Sequence, residues 1–190
     1  MSRNSIRRLF GLSLVVTLVS GPFASRHQAA SIDESALKAA FLLNFARFTE
    51  WAPDTMADGG PLTLCVVGDW FVARSTEETA RGKSIGSHPV VVRRMNEDGA
   101  LRSCQVLYAG RVDVKQALRL LAAVEGASVL TVSDLSNFTL IGGTADLYVD
   151  ASRIRFAINV DSARRFRVQF SSQLLRLAKL VTTEPGTGKS

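Results

Sequence analysis

The sequence predicts an α/β fold: a three-layer sandwich whose mostly parallel sheet is flanked by helices and carries a C-terminal antiparallel hairpin. Three observations lead there. Short apolar runs of strand length alternate with segments of helical periodicity, the pattern of successive βαβ units. The run Leu62–Val67 is apolar at nearly every position, as in a buried strand. Near the C-terminus, Leu147-Tyr-Val149 and Ile154–Val160 look like two strands of a hairpin joined by Asp150-Ala-Ser-Arg153.

The elements follow in order. Ser31-Ile-Asp-Glu34 has the form of a capping box. It opens a helix over Ser35 to Glu50, with Leu37, Phe41, Phe45 and Phe48 on one face, closed near Trp51-Ala-Pro53. A strand over Leu62–Val67, a turn at Gly68-Asp69, a helix over Trp70–Arg81 and a strand over Pro89–Arg93 come next. Leu101–Ala109 contains another strand. Asp113–Val124 is a helix with Val114, Ala117, Leu118 and Leu121 inward. The strand Val129–Val132 delivers Ser133 and Asp134 to its C-terminal end. After a tight turn at Gly142-Gly143 and the hairpin, Asp161 caps a short helix over Ser162–Phe166. Ser171 or Ser172 caps a last amphipathic helix, Gln173–Val181.

The first thirty residues read as a secretory leader. Arg3, Arg7 and Arg8 precede an apolar run from Leu9 to Val19, and small residues follow at Gly21, Ala24, Ser25, Ala29 and Ala30. The run is shorter than the roughly 20 residues of a spanning helix, and Pro22 and Arg26 close it, which disfavours an uncleaved anchor. The expected organisation is a leader over 1–30, one α/β domain over 31–182 and a flexible tail over 183–190. The expected location is the periplasm.

Removing the leader changes the charge. The whole chain has 23 basic and 17 acidic side chains and a pI near 9.9. Four arginines leave with residues 1–30, so 19 face 17 and the mature charge is near +2. That balance gives no basis for a nucleic-acid partner.

Two cysteines remain, Cys65 and Cys104, each in an apolar segment. An even pair in an oxidising compartment is most simply a disulfide. Two free buried thiols are the alternative, since a redox-active pair usually has C-x-x-C spacing. His88 is the single histidine if cleavage falls after His27, so neither a zinc site nor a Ser-His-Asp triad has its parts. No phosphate loop or dinucleotide fingerprint is present. Catalytic residues, metal ligands and cofactors are therefore not expected, and the residues do not point to an enzyme.

Several segments together resemble the YfiR family of periplasmic regulators. The first helix, Lys38-Ala-Ala-Phe-Leu-Leu-Asn-Phe-Ala-Arg-Phe48, followed by Glu50-Trp-Ala-Pro53, is similar to that family's opening pattern. So are Leu64-Cys-Val-Val-Gly-Asp69, Val129-Leu-Thr-Val-Ser-Asp134, Gly142-Gly143, Arg153–Asp161 and Ser171–Ala178. The resemblance implies a protein that binds the periplasmic sensor domain of a YfiN-like membrane diguanylate cyclase and represses cyclic di-GMP synthesis. It implies sequestration by a YfiB-like outer-membrane lipoprotein, and homodimers. It also places Cys104 as the bridge partner of Cys65. Relatives carry a second cysteine pair beside the glycine-rich turn. Thr139 and Asp146 stand in those places here, so redox control can rest only on Cys65–Cys104.

Three groups are candidates for contact with a partner or ligand. Arg153, Arg155 and Asn159 are polar residues on a regular strand and need water or a partner; a solvated sheet face is the alternative. Ser133 and Asp134 end a strand where open α/β sheets often bind ligands, and helix capping is their alternative role. Phe41, Phe45, Phe48 and Trp51 form either core or an exposed stripe. The competing function is a periplasmic small-molecule-binding sensor.

Overall fold

The structure, a computed structural model, describes residues 25–182, with side chains from Glu34 onward. The tail and most of the expected leader lie outside the described residues. The chain runs α1 (Ser25–Arg47), β1 (Thr49–Trp51), β2 (Leu62–Val67), α2 (Trp70–Ala80), β3 (Ser84–Ile85), β4 (His88–Met95) and β5 (Val106–Ala109). It continues α3 (Val114–Ala123), β6 (Leu130–Ser133), β7 (Ala145–Asp150), β8 (Arg153–Asn159), α4 (Val160–Arg165), β9 (Val168–Phe170), α5 (Ser172–Leu175) and β10 (Lys179–Val181).

The main sheet has eight strands in the order β10-β8-β7-β6-β5-β2-β4-β3. Its pairings are parallel except for the β7–β8 hairpin and the short β3–β4 pair. Alternation along each strand divides the core in two. Leu62, Leu64, Val66, Val106, Leu130 and Val132 face Leu42 and Phe45 of α1, Val72 of α2 and Leu174 of α5. Cys65, Val67, Leu107 and Ala109 face Ala117, Leu120 and Leu121 of α3 and Phe166 after α4. The result is the three-layer sandwich with a mostly parallel sheet and a late antiparallel hairpin.

The aromatic stripe of α1 is core. Phe45 is fully buried, and its ring centroid lies 5.1 Å from that of Phe156 on β8, with Phe41 completing the cluster.

Local pattern and structure part company at six places, the first being Leu37, which was expected on the face of Phe41 and Phe45 and is exposed. The helix α1 begins at Ser25, so Ser31 lies inside it instead of capping it. It stops at Arg47, because Thr49–Trp51 pair antiparallel with β9 as a separate two-stranded sheet. Helix α3 turns Ala117, Leu120 and Leu121 inward, while Val114 and Leu118 are exposed. Helix α4 is capped by Asn159, whose side chain accepts from the Asp161 and Ser162 amides, and Asp161 lies inside the helix.

The last is the C-terminal helix. Only Ser172–Leu175 is helical, and Lys179–Val181 pairs parallel with Ala157–Asn159. The backbone of β8 would otherwise have no partner on that side, and a helix cannot satisfy a strand edge. Of the apolar residues in the expected helix, Leu174 is buried and Leu177 is exposed.

Cys65 and Cys104 form a disulfide with a Cα–Cα distance of 5.9 Å, and both are fully buried. The bond ties β2 to the segment that enters β5. The double variant Cys65→Ala/Cys104→Ala is expected to be less stable by about 2–4 kcal/mol. Urea unfolding checks this; a midpoint equal to the parent's would show that the crosslink contributes nothing.

Candidate functional site

In an open α/β sheet the ligand crevice usually forms where successive crossovers leave in opposite directions, at the C-terminal ends of the strands. Here that point lies between β2, whose chain goes on to β4, and β5, whose chain goes on to β6. The crevice is shut by backbone. Gly68 has φ 80°, and a Cβ there would sit 2.2 Å from the Gly110 carbonyl oxygen. A Cβ on Gly110 would meet Asp69 Cβ at 2.8 Å.

Asp69 finishes the closure. Its Oδ1 accepts from the Phe71 and Val72 amides at 3.0 and 3.1 Å, capping α2, while Oδ2 takes Arg111 Nε at 3.1 Å. The Arg111 guanidinium carbon lies 5.3 Å from the Phe71 ring centroid.

The polar chemistry is displaced one strand along, to the end of β6. Lys38 Nζ of α1 donates to Asp134 Oδ2 at 2.7 Å and lies 2.6 Å from Glu34 Oε1. Burial by itself would depress the Lys38 ammonium, but hydrogen bonds and charge from Asp134 and Glu34 outweigh it and hold the pKa above the ordinary lysine value. Tyr108 of β5 is fully buried, and its hydroxyl, near Asp134, makes no well-directed short hydrogen bond among the described residues. Burial, then the charge of Asp134, pushes its ionisation far upward, so it stays a neutral phenol. A cavity of about 330 Å³ opens beside this cluster, between Glu34, Lys38 and Asp134 on one side and Tyr148, Val149 and Ile154 of the hairpin on the other.

The expected site residues do not come together. Asp134 belongs to the cluster just described. Ser133 is fully buried; its hydroxyl donates to the Ala109 carbonyl at 2.5 Å and accepts from the Leu135 amide at 3.0 Å. Arg153 and Arg155 are exposed on the opposite face of the sheet from Lys38, with Arg155 Nε donating to Asp150 Oδ2 at 2.8 Å. Asn159 is fully buried. Besides capping α4, it donates to the Thr139 carbonyl at 2.9 Å.

Thr139 and Asp146 meet: the Thr139 hydroxyl donates to Asp146 Oδ2 at 2.8 Å, with both residues buried. A hydrogen bond thus closes the glycine-rich turn.

Sequence reading passed over Lys38, Tyr108, Asp69 and Arg111. Lys38 had a signal: with Leu42 and Phe45 it is spaced i, i+4, i+7, which puts a charge on the buried face of α1. Asp69 and Arg111 had none, since their meeting depends on the crossover. Among the described residues no helix is long and apolar enough to cross a membrane, and no group of three or more His, Cys, Asp or Glu is placed to hold a metal ion.

The Lys38 cluster makes stability depend on pH. Folding raises this pKa above 10.5, so the protonated side chain stabilises the fold fully below that pH and the contribution is lost as pH rises through the raised value. Lys38→Met strands the two carboxylates and is expected to cost about 2 kcal/mol at pH 7. The gap to the parent should narrow above pH 10.5. Thermal unfolding across pH 7 to about 11 checks it; a constant gap would refute the assignment.

Two comparisons bear on this geometry. The crystal structure of a conserved domain protein from Vibrio cholerae is similar over 64% of this chain and 54% of that one, at 13% identity and a TM-score of 0.48. The chain therefore spans about half the length of that protein, and the likeness carries no functional argument. The profile of the YfiR/HmsC-like family matches residues 35–179, which takes in every strand of the main sheet except the end of β10. The chain belongs to the YfiR/HmsC-like family.

Proposed function

We propose that this chain is a periplasmic negative regulator that binds the periplasmic sensor domain of a membrane diguanylate cyclase and restrains cyclic di-GMP synthesis. The observation that carries the reading is family membership across 35–179. The fully buried disulfide fits the same compartment, because such bonds persist where the surroundings are oxidising. A regulator of this kind works through surfaces, by binding its partner more tightly in the inactive state than in the active one. A YfiB-like outer-membrane lipoprotein as competitor and a homodimeric form belong to the same proposal.

A second reading, a small-molecule sensor, is favoured by one observation. The cavity beside Asp134 and Lys38 has the volume of a small ligand site. A compound that binds the folded chain there would raise its melting temperature, and Asp134→Asn would reduce that rise.

The deciding experiment measures cyclic di-GMP in cells lacking the gene, then restored with the exported chain or with a leaderless one. The level is expected to rise on deletion and to fall only with the exported form. An unchanged level on deletion, with the cyclase expressed, would refute the regulator reading.

A further inference from the structure

The longest strand of the main sheet is nearly bare along one edge. On one side of β4, residues 90–95 pair with β2 over its whole length. On the other side, β3 covers only His88 and Pro89, and the Val90 amide donates to the Lys83 carbonyl at 2.9 Å. Among the described residues no strand flanks Val91–Met95. Backbone groups of successive residues point alternately to the two sides of a strand. The outward Val90 amide therefore puts the N–H and C=O of Val92 and Arg94 on the open edge, and these four groups are a template for another strand.

The side chains around the edge define what fits it. Arg93 is exposed and, with Arg81 and Lys83 on the connection into β3, has no ion pair among the described residues. Arg94 is held by Glu77 at 2.8 and 2.6 Å and stacks 3.7 Å over the ring of Trp70, a residue 57% exposed. Glu77 is thus spent on Arg94, and the edge keeps an excess of positive charge. A second copy is a poor occupant: two β4 edges paired antiparallel about the middle of the open stretch would set Arg93 against Arg93, and like charges directly opposite are destabilising.

We propose that the open edge of β4 receives an acidic, extended segment of a partner protein as an added strand. Its backbone pairs with Val92 and Arg94, and its carboxylates meet Arg93, Lys83 and Arg81. The open stretch of about five residues takes a segment roughly 16 Å long. The fixed Trp70–Arg94 pair supplies a rigid aromatic platform, of the residue types that dominate binding energy at interfaces. The proposal goes beyond the regulator reading and does not need it, because it concerns the recognition chemistry of this edge.

The test uses the purified, disulfide-bonded chain and labelled heptapeptides of alternating Glu and β-branched residues, a Lys-for-Glu set, and the acidic set N-methylated at alternate positions. Fluorescence anisotropy reads binding, and amide hydrogen exchange reads its place. The acidic peptides are expected to bind and to slow exchange at Val92 and Arg94 by about tenfold or more, while N-methylation abolishes this. Arg93→Glu, an exposed change checked for folding by circular dichroism, should weaken acidic peptides by about tenfold and improve lysine peptides. Absence of binding by every acidic peptide overturns the proposal. So does binding that leaves Val92 and Arg94 unprotected, or that is indifferent to Arg93→Glu. None of these outcomes depends on cyclic di-GMP levels, so this proposal and the regulator reading fail separately.

Discussion

Strands β2 and β5 are held side by side at three levels, and the rest of the sheet is laid down around them. At their N-terminal ends the Thr63 amide donates to Gln105 Oε1 at 2.7 Å, and the Gln105 amide returns a bond to the Thr63 carbonyl at 2.8 Å. In the middle the Cys65–Cys104 bond crosses from the centre of β2 to the segment entering β5. At the C-terminal ends Gly68 lies so close to the Gly110 carbonyl that no side chain fits between the two loops. A residue with φ near 80° and no room for a Cβ has to be glycine. The central pairing is therefore fixed by hydrogen bonds, a covalent link and close steric contact together.

This constraint has a functional consequence. Many α/β proteins leave the point between their diverging crossovers open and bind ligands there. In this chain the same point is solid, and Asp69 and Arg111 are occupied in keeping it so. Open features lie at the margins, among them the Lys38–Asp134 cluster with its cavity, the exposed end of the hairpin and the bare edge of β4. Margins of this kind suit a protein that meets other proteins, since they are reached without opening the core. The hairpin turn adds a strained feature, with Ala151 and Ser152 at φ 45° and 61° where turns of this length favour glycine or asparagine. The Arg155–Asp150 pair spans its base.

Long, strongly patterned elements were legible as elements, though not always in their ends or inward faces. The strand Leu62–Val67 and a helix beginning at Trp70 could be read from apolar continuity and from the turn at Gly68-Asp69, while the cap that Asp69 supplies came only with the structure. The helix read over Asp113–Val124 is α3, Val114–Ala123, with Asp113 as its N-cap. Short strands were not legible. Thr49–Trp51 reads as the last turn of a helix until β9 arrives from more than a hundred residues away, and Lys179–Val181 reads as helix until β8 offers its edge. Three residues carry too little periodicity to outvote a neighbouring pattern, whereas a waiting backbone partner decides the matter at once. The site was legible only in pieces. Asp134 stood out at a strand end, but its partner Lys38 lies 96 residues earlier and Tyr108 on another strand.

By itself, the sequence determined the layer architecture, the disulfide partners and the family, because each rests on patterns repeated along the chain or on a residue type with few alternatives. The tertiary structure decided which polar residues meet. It committed Asn159 and Ser133 to holding backbone, joined Asp134 to Lys38, set Thr139 against Asp146 and left one side of β4 uncovered. Those outcomes depend on pairwise distances between segments remote in the chain, and such distances exist only once the sheet order is set.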